Sequence, residues 1–287
     1  EGPIHTTNYR EIRKRALKLA KRLDKDGIRL GDRVATLAWN TWRHLECWYG
    51  ILGIGAVYHT VNPRLFPEQI AWIVNHAEDR VMMTDQTFVP LLEKLADKLP
   101  TIERYVVLTD AAHMPQTSLK NAVPYEEWLA ETDDDFTWKS FDENTAAGMC
   151  YTSGTTGNPK GVVYHHRGAY LNAMGNVLTW ALPHHPVYLW TLPMFHCNGW
   201  CFPWTIAMLG GTHVCLRKVD ATHILQAIQA HKVDHYCAAP IVHNLILAAP
   251  ESMRNGITHA VKAMVAGAAP PAAMIEGMSK IGFDITH

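Results

Sequence analysis

Short apolar runs alternate with amphipathic helical patterns, and this alternation predicts an α/β fold with largely parallel sheets. The alternation extends through almost all of the 287 residues. Strands of a parallel sheet are buried on both faces and read as continuous apolar runs, whereas the helices between them repeat apolar residues every three or four positions. A hydrophobic content of 48% is ample for the large core that such a fold requires.

The first part of the chain predicts helices and strands in regular succession. Tyr9 begins a helix whose apolar residues recur at helical spacing and which ends before Gly27. Asn40 has a side chain that caps helices, and it predicts the start of a helix that runs towards Gly53. The other predicted elements are strands at residues 34–38, 57–61, 81–83 and 105–108 and helices at residues 67–77 and 89–99.

Residues 110–144 have a different character. They contain an acidic run at residues 133–135, few periodic apolar positions and several turn formers, and we interpret them as a surface excursion or a boundary. We therefore predict two subdomains, residues 1–144 and 145–287, with the alternation resuming at residue 146. The chain starts at Glu1 without an initiator Met and stops in an apolar stretch, so we expect a protein truncated at both ends.

Charge and cysteine content exclude several classes of protein. The net charge is −1, which argues against nucleic-acid and membrane-surface proteins, because both need a basic excess. No signal peptide and no apolar run long enough for a transmembrane segment is visible. The six cysteines form no Cys-x-x-Cys pair, which favours unpaired thiols and a cytoplasmic location.

The most informative stretch is residues 151–161, Tyr-Thr-Ser-Gly-Thr-Thr-Gly-Asn-Pro-Lys-Gly. Glycines allow the backbone to approach a ligand closely, and successive N–H groups can form a nest for anions. Hydroxyl groups add donors, and Lys160 adds a compact positive charge suited to phosphate oxygens. A Walker loop is excluded because Lys160 is followed by Gly161 rather than by Ser or Thr. On composition alone, a surface turn rich in Ser, Thr and Gly remains an alternative.

A second unusual stretch, residues 192–200, reads Leu-Pro-Met-Phe-His-Cys-Asn-Gly-Trp. Its polar His196 could equally be a hydrogen-bonded histidine of the core. A zinc site formed by His196, Cys197 and Cys201 is disfavoured, because adjacent residues seldom bind one tetrahedral ion. A third stretch of small residues, 265–271, follows a predicted strand and could by itself be an ordinary turn.

The order of residues in these three stretches resembles the adenylate-forming superfamily, which includes acyl-CoA synthetases and luciferases. Thr-Ser-Gly-Thr-Thr-Gly-x-Pro-Lys-Gly resembles its signature loop, and nine specified positions arise by chance about once in 10¹¹ starts. Pro-Met-Phe-His-x-Asn-x-Trp resembles a segment of fatty-acyl-CoA synthetases that lies between the ATP site and the acyl tunnel. Residues 265–271 resemble the adenine-pocket segment, with Ala266 where the family often has a glycine.

The resemblance implies a role for individual residues. Lys160 and His196 would be catalytic, Thr152 would help to hold Mg²⁺, and His196 and Trp200 would form the substrate gate, with Trp200 closing the acyl channel. The implied cofactor-binding residues are Thr152, Ser153, Gly154, Thr155, Thr156, Gly157, Lys160, Cys197, Trp200, Gly267, Ala268 and Ala269.

The resemblance also implies an architecture, a reaction and co-substrates. The fold would be the large N-terminal domain of an adenylate-forming enzyme, with stacked, mostly parallel sheets flanked by helices and without the C-terminal domain. The reaction would be an AMP-forming acid–thiol ligation that uses ATP, Mg²⁺ and coenzyme A to activate a carboxylic acid, with a fatty acid favoured. Relatives are often dimers, so homodimerisation of the complete protein stays open.

Three alternatives to a fatty-acyl-CoA ligase stay open. The acceptor could differ from coenzyme A, the acid could be shorter, such as methylthio-propionate, or the chain could be a non-catalytic ATP-binding fragment. In the family, a glutamate that binds Mg²⁺ and a C-terminal domain with the adenylation lysine follow the point where this chain stops. We therefore expect that this polypeptide alone does not complete adenylation at a useful rate.

Overall fold

The computed structural model describes residues 4–152 and 158–287, which divide into two compact units. Unit 1 consists of Glu1–Ala169 together with Phe195–Asn198. Unit 2 consists of Tyr170–Met194 and Gly199–His287. Each unit has a sheet of its own, as the α/β prediction requires.

The first unit is built on a seven-stranded sheet. Its strands are β1 (Arg33–Leu37), β2 (Val57–Thr60), β3 (Asp79–Thr84), β4 (Arg104–Val107), β5 (Ala122–Pro124), β6 (Ala146–Thr152) and β7 (Lys160–His165). Its helices are α1 (Tyr9–Lys25), α2 (Trp42–Leu52), α3 (Pro67–Ala77), α4 (Val89–Leu95) and α5 (Tyr125–Ala130), and the start of α6 (His166–Thr179) also belongs to it. The strand order is β5-β4-β3-β1-β2-β6-β7.

Neighbouring strands of this sheet run parallel, except that β6 and β7 form an antiparallel pair. All four residues of β2 are buried, as are the last four of β1. Strands in the middle of a parallel sheet have helices on both faces, which explains why they read as unbroken apolar runs. The predicted fold class is therefore confirmed for this unit.

Capping side chains mark the start of α1 and of α2. At α1, Asn8 accepts a hydrogen bond from the backbone N–H of Glu11 at 3.0 Å. At α2 the cap is Thr41, which accepts from the N–H of His44 at 3.1 Å, so the prediction of Asn40 as the cap is wrong by one residue. Both residue types cap helices well, and only the helix register distinguishes them. No helix within the described ranges is long and apolar enough to cross a membrane.

The segment 110–144 is more ordered than the predicted surface excursion. It supplies β5, the edge strand of the sheet, and α5, whose Tyr125, Trp128 and Leu129 are almost completely buried. Further along, the indole of Trp138 covers Gly53 so closely that a Cβ at this glycine would overlap the ring. The prediction failed because three buried residues in a single short helix give little periodic signal.

The second unit is built on a five-stranded sheet in the order β12-β11-β10-β8-β9. Its strands are β8 (Val187–Trp190), β9 (Thr212–Cys215), β10 (His235–Ala238), β11 (Val261–Val265) and β12 (Phe283–Thr286), and all neighbouring pairs are parallel. Its further helices are α7 (Phe202–Met208), α8 (Ala221–His231), α9 (Pro240–Ala248) and α10 (Ala272–Lys280). The core lies between this sheet and its helices, around Ile228, Tyr236 and Met278, each of which is fully buried.

The division into units does not coincide with the predicted boundary between residues 144 and 145. Strands β6 and β7 belong to unit 1, because β6 pairs with β2 through Tyr58 opposite Gly148 and His59 opposite Met149. The chain leaves this unit within α6, and residues Phe195–Asn198 return to it. A change in composition marks a connecting segment, but it carries no information on which sheet the next strand joins.

Candidate active site

The predicted phosphate loop connects the antiparallel strands β6 and β7. Thr152, the last residue of β6, lies directly opposite Lys160, the first residue of β7. Opposed residues of an antiparallel pair have their Cβ atoms about 5 Å apart on the same face of the sheet. The hydroxyl-bearing and ammonium-bearing side chains are both exposed on that face. Ser153–Gly157, which carry the rest of the prediction, lie outside the described residues.

This hairpin begins at the edge of the sheet where ligands of α/β proteins are usually bound. Thr152 ends β6 and Thr60 ends the parallel neighbour β2, so both lie at the carboxyl ends of their strands. Open α/β sheets bind ligands outside these carboxyl ends, because the loops and helix N-termini there leave a crevice. The position of the hairpin agrees with an anion-binding role.

The predicted His-x-Asn stretch is attached to the same edge of unit 1. Phe195 is 3% exposed and its ring packs edge-on against Trp39 at a centroid distance of 5.9 Å. Asn198 is 2% exposed, and its Nδ2 donates to Thr60 Oγ1 at 3.1 Å and to the Met149 carbonyl at 3.2 Å. A buried ring and a buried amide thus fix both ends of the stretch Phe195–Asn198 to the sheet.

His196, between these two anchors, is exposed and is not the core histidine that the sequence left open. Its pKa lies below the ordinary value because partial burial disfavours the imidazolium and the Arg64 guanidinium repels it. The ring is therefore neutral at pH 7, with one nitrogen as a donor and the other as an acceptor. Arg64, to which the sequence assigned no chemistry, lies 5.6 Å from the centre of the Phe195 ring.

The thiol of Cys197 lies next to this histidine. Cys197 Sγ lies 4.0 Å from both ring nitrogens of His196. Partial burial raises the pKa of Cys197, so the thiol keeps its proton at neutral pH. In the part of the chain that the structure describes, no group of three His, Cys, Asp or Glu side chains could hold a metal ion.

Trp200, the predicted gate, is held through its backbone in unit 2. Its carbonyl accepts a hydrogen bond of 2.9 Å from Asn176 Nδ2 on α6, and this amide also donates to Thr205 Oγ1 at 3.1 Å. The tight turn Cys197–Cys201 has five successive positive φ angles, of which Trp200 has +50°. A left-handed backbone costs roughly 1–2 kcal/mol for each residue other than glycine. The predicted gate residue therefore lies in a strained turn, as is common at functional sites.

The third predicted stretch borders a cavity of 420 Å³ in unit 2. Gly267 and Ala268 contribute to its lining, together with residues 264–266, Thr179, Thr286 and His287. Strands β11 and β12 end beside it and run parallel, so the cavity lies at the carboxyl edge of this sheet as well. Gly267 has a φ of +87°, which glycine adopts without strain, and the small side chains leave the backbone accessible. Ala269 follows as an exposed residue.

Sequence reasoning missed two residues that position the predicted ones. The sequence places Asn198 in a motif but assigns it no role, and it does not single out Asn176. Both are amides that hold the backbone around the predicted gate stretch, Asn198 in unit 1 and Asn176 in unit 2. A polar residue within an apolar run was the only available signal for Asn198. Nothing in the sequence pattern of α6 distinguishes Asn176.

Comparison with known proteins supports the resemblance. The family model described as "AMP-binding enzyme" matches residues 2–287. A peroxisomal acetate/butyrate–CoA ligase of Arabidopsis thaliana is 41% identical over 97% of this chain and 51% of its own length. A medium-chain-fatty-acid–CoA ligase of Ectopseudomonas oleovorans is 37% identical over 100% of this chain and 53% of its own length. The chain thus spans about half the length of the curated relatives it matches.

A solved structure shows the same fold. The crystal structure of an anthranilate CoA ligase in complex with anthranoyl-AMP superposes with a TM-score of 0.87 at 24% identity, over 96% of this chain and 53% of that one. With a family model that spans nearly the whole chain and with this shared fold, the chain belongs to the AMP-binding, or adenylate-forming, enzyme family.

Proposed function

We propose that the protein of which this chain forms part activates a carboxylic acid with ATP, first as an acyl-adenylate and then as a coenzyme A thioester. The observation that carries the proposal is the hairpin of an AMP-binding family member in which Thr152 and Lys160 lie opposite each other on one face. The two relatives compared above are both CoA ligases, which supports coenzyme A as the acceptor.

In the first half-reaction, a carboxylate oxygen attacks the α-phosphorus of ATP, and the bond to pyrophosphate breaks. A carboxylate is a weak nucleophile and must approach an anionic triphosphate, so alignment and charge neutralisation supply most of the rate. We assign the β- and γ-phosphates to the hairpin, with donors from Ser153–Gly157 and positive charge from Lys160. Lys160 stabilises the negative charge that develops on the departing pyrophosphate.

The predicted magnesium site fits the described residues only in part. Thr152 offers one exposed hydroxyl oxygen, and no cluster of carboxylates accompanies it in the described ranges. Mg²⁺ keeps several waters and commonly binds through substrate phosphates with few protein ligands, so a single hydroxyl fits an ion that arrives with the nucleotide. When bound there, Mg²⁺ would neutralise phosphate charge.

The acid and the nucleoside have separate recognition elements. We assign the carboxylate of the acid to His196, whose neutral ring can donate a hydrogen bond without adding charge, and the acyl chain to Trp200. We assign the adenine to the small-residue stretch Gly267, Ala268 and Ala269 beside the cavity, and we keep Cys197 as a further cofactor contact. In the second half-reaction, the coenzyme A thiol loses its proton, attacks the acyl carbon and expels AMP.

We propose an aliphatic acid as the substrate. The two compared relatives act, by their names, on acetate or butyrate and on medium-chain fatty acids, and these differ only in the length of the apolar chain. An indole at the predicted gate suits such a chain, because its faces are apolar.

Binding of stable acyl-adenylate analogues tests this proposal. Acyl-sulfamoyl adenosines with acetyl, butyryl, hexanoyl and octanoyl groups are titrated calorimetrically, with AMP as the reference. Each buried methylene contributes about 0.8 kcal/mol, so affinity should rise about fourfold per methylene until the channel is filled. Trp200→Ala should flatten this dependence and Trp200→Phe should keep most of it. Equal affinity for AMP and all analogues would rule out the acyl-activating role.

Location and assembly of the complete protein are further proposals. Six free cysteines suit a reducing compartment, and we propose the cytoplasm. Homodimerisation rests on family resemblance alone. Fractionation of cells and light scattering of the complete protein test the two proposals separately.

A further inference from the structure

Tyr151 lies at the neck of the phosphate hairpin, which we define as the paired residues Tyr151–Gly161 and Thr152–Lys160. Side chains alternate between the faces of a strand, so Tyr151 lies on the face opposite to Thr152 and Lys160. A Cβ placed on Gly161 would lie 3.2 Å from Cζ and 3.3 Å from the hydroxyl oxygen of Tyr151. The phenol therefore covers the backbone of β7 directly beside Lys160, while its own backbone leads into Thr152.

Helix α3 holds the outer end of this phenol. The hydroxyl lies 2.7 Å from His76 Nδ1. Trp72, one turn earlier on the same helix, stacks on the His76 ring at 4.5 Å and meets the Tyr151 ring edge-on at 6.0 Å. Burial raises the pKa of Tyr151 to about 12, so the hydroxyl keeps its proton and can donate to the imidazole.

A buried pair lies on the inner side of the same ring. His59 of β2 lies 5.2 Å from the Tyr151 ring, and its Nδ1 is 2.6 Å from Asp79 Oδ2. Both His59 and Asp79 are completely buried, so neither ring nor carboxylate can turn away without breaking this contact inside the core. The phenol is thus fixed from both sides, by a rigid sheet and by a helix.

We propose that Tyr151, held by His76, is a positioning residue for phosphate binding. It fixes the backbone on both strands of the neck, so that the Thr152 hydroxyl and the Lys160 ammonium are already placed before the nucleotide arrives. Groups that are placed in advance bind more tightly, because less conformational entropy is lost on binding. The inference rests on the proposed function, since it assumes that this hairpin binds the polyphosphate of ATP.

The test compares nucleotides that differ in the phosphates assigned to the hairpin. Calorimetric titration of the 287-residue chain gives the Kd of Mg·ATP and of AMP for wild type, Tyr151→Phe, Tyr151→Leu and His76→Ala. Loss of one well-aligned hydrogen bond corresponds to about a five- to tenfold change in affinity. We expect ATP binding to weaken by this factor in Tyr151→Phe and His76→Ala and further in Tyr151→Leu, while AMP binding stays within twofold.

Two further variants separate positioning from general damage. His76→Asn places an amide near the position of Nδ1 and should restore most of the ATP affinity. Tyr170→Phe, at an exposed tyrosine of α6, should change neither Kd. The inference is overturned if ATP and AMP weaken alike, if ATP affinity stays within twofold in Tyr151→Leu, or if His76→Asn behaves like His76→Ala. A wild-type chain that binds ATP no more tightly than AMP would overturn the proposed function itself.

Discussion

Asn198 should contribute more to stability than its exposed neighbours, because it joins the His196 stretch to the sheet of unit 1. Its Nδ2 donates a buried hydrogen bond to Thr60 Oγ1 and a partly buried one to the Met149 carbonyl. Its backbone has a φ of +42°, in the left-handed region, which asparagine and glycine tolerate better than alanine does. Replacement by alanine and by glycine therefore separates the side-chain contribution from the backbone contribution.

The expected magnitudes follow from these contacts. Each hydrogen bond contributes about 1 kcal/mol, and the buried acceptors left without a donor cost about another 1 kcal/mol. Asn198 Oδ1 is buried and has no hydrogen-bond partner among residues 4–152 and 158–287, so removing it returns about 1 kcal/mol. Asn198→Gly should thus lower the free energy of unfolding by about 2 kcal/mol. Asn198→Ala should lower it by about 3 kcal/mol, because alanine also strains the left-handed backbone.

Urea unfolding at 25 °C measures both variants, with tryptophan fluorescence as the signal and His184→Ala, at an exposed histidine, as the control. The two units can unfold in separate transitions, and the effect should fall on the transition of unit 1. Two results would refute the reasoning: both variants within about 0.5 kcal/mol of wild type, or the alanine variant at least as stable as the glycine variant.

Two other predictions concern buried titratable groups of unit 1. Burial lowers the pKa of His44 to about 4, whereas the imidazole of the unfolded chain takes up a proton near pH 6.5. The free energy of unfolding therefore has its full value above about pH 6.5 and falls as the pH decreases towards 4. The loss at pH 5 is about 2 kcal/mol, and His44→Gln should show a correspondingly smaller decrease in urea stability between pH 7 and pH 5. Glu46 is fully buried, and it accepts from Arg15 Nε at 2.6 Å and from the Tyr125 hydroxyl at 3.0 Å. Glu46→Ala should cost about 3–5 kcal/mol in urea unfolding, and Glu46→Gln clearly less, because the amide oxygen still accepts one of these bonds.

Each of these predictions has its own contradicting result. Parallel stability curves for wild type and His44→Gln between pH 7 and pH 5 would show that His44 takes up its proton normally in the fold. Equal losses for Glu46→Ala and Glu46→Gln would contradict the second prediction, because they would show that the amide oxygen keeps neither hydrogen bond and that an amide of the same size does not replace the carboxylate paired with Arg15.

The alternation of elements could be read from the sequence because each strand and helix carries its own period. The pairing of β6 with β2 could not, since it joins residues about 90 positions apart and leaves no local mark. Helix α5 could not be read from the sequence either, because its buried Tyr125 and Trp128 occupy only one face of a short helix and give little periodic signal. Local patterns therefore predicted the fold class, and the long-range contacts determined the units.

The same distinction between local sequence patterns and long-range contacts applies to the candidate site. Lys160 and Trp200 could be selected because their neighbours in sequence form specific motifs. Tyr151 and His76 are separated by 75 positions, and neither period nor spacing connects them. Asn176 acts through the carbonyl of Trp200, a contact that depends only on how α6 packs. The residues predicted to touch a ligand lie in recognisable motifs, whereas the residues proposed to position them are found only through contacts in the structure.

The central claim is that the hairpin ending in Lys160 binds the β- and γ-phosphates of ATP. Its most direct test is the ratio of AMP to Mg·ATP dissociation constants for wild type, Lys160→Ala and Lys120→Ala, the last at an exposed lysine of unit 1. A charge-assisted contact to phosphate contributes about 1.5–3 kcal/mol, so Lys160→Ala should weaken ATP binding by about 10- to 150-fold and leave AMP binding unchanged. Lys120→Ala should match wild type. An unchanged ratio in Lys160→Ala would contradict the claim.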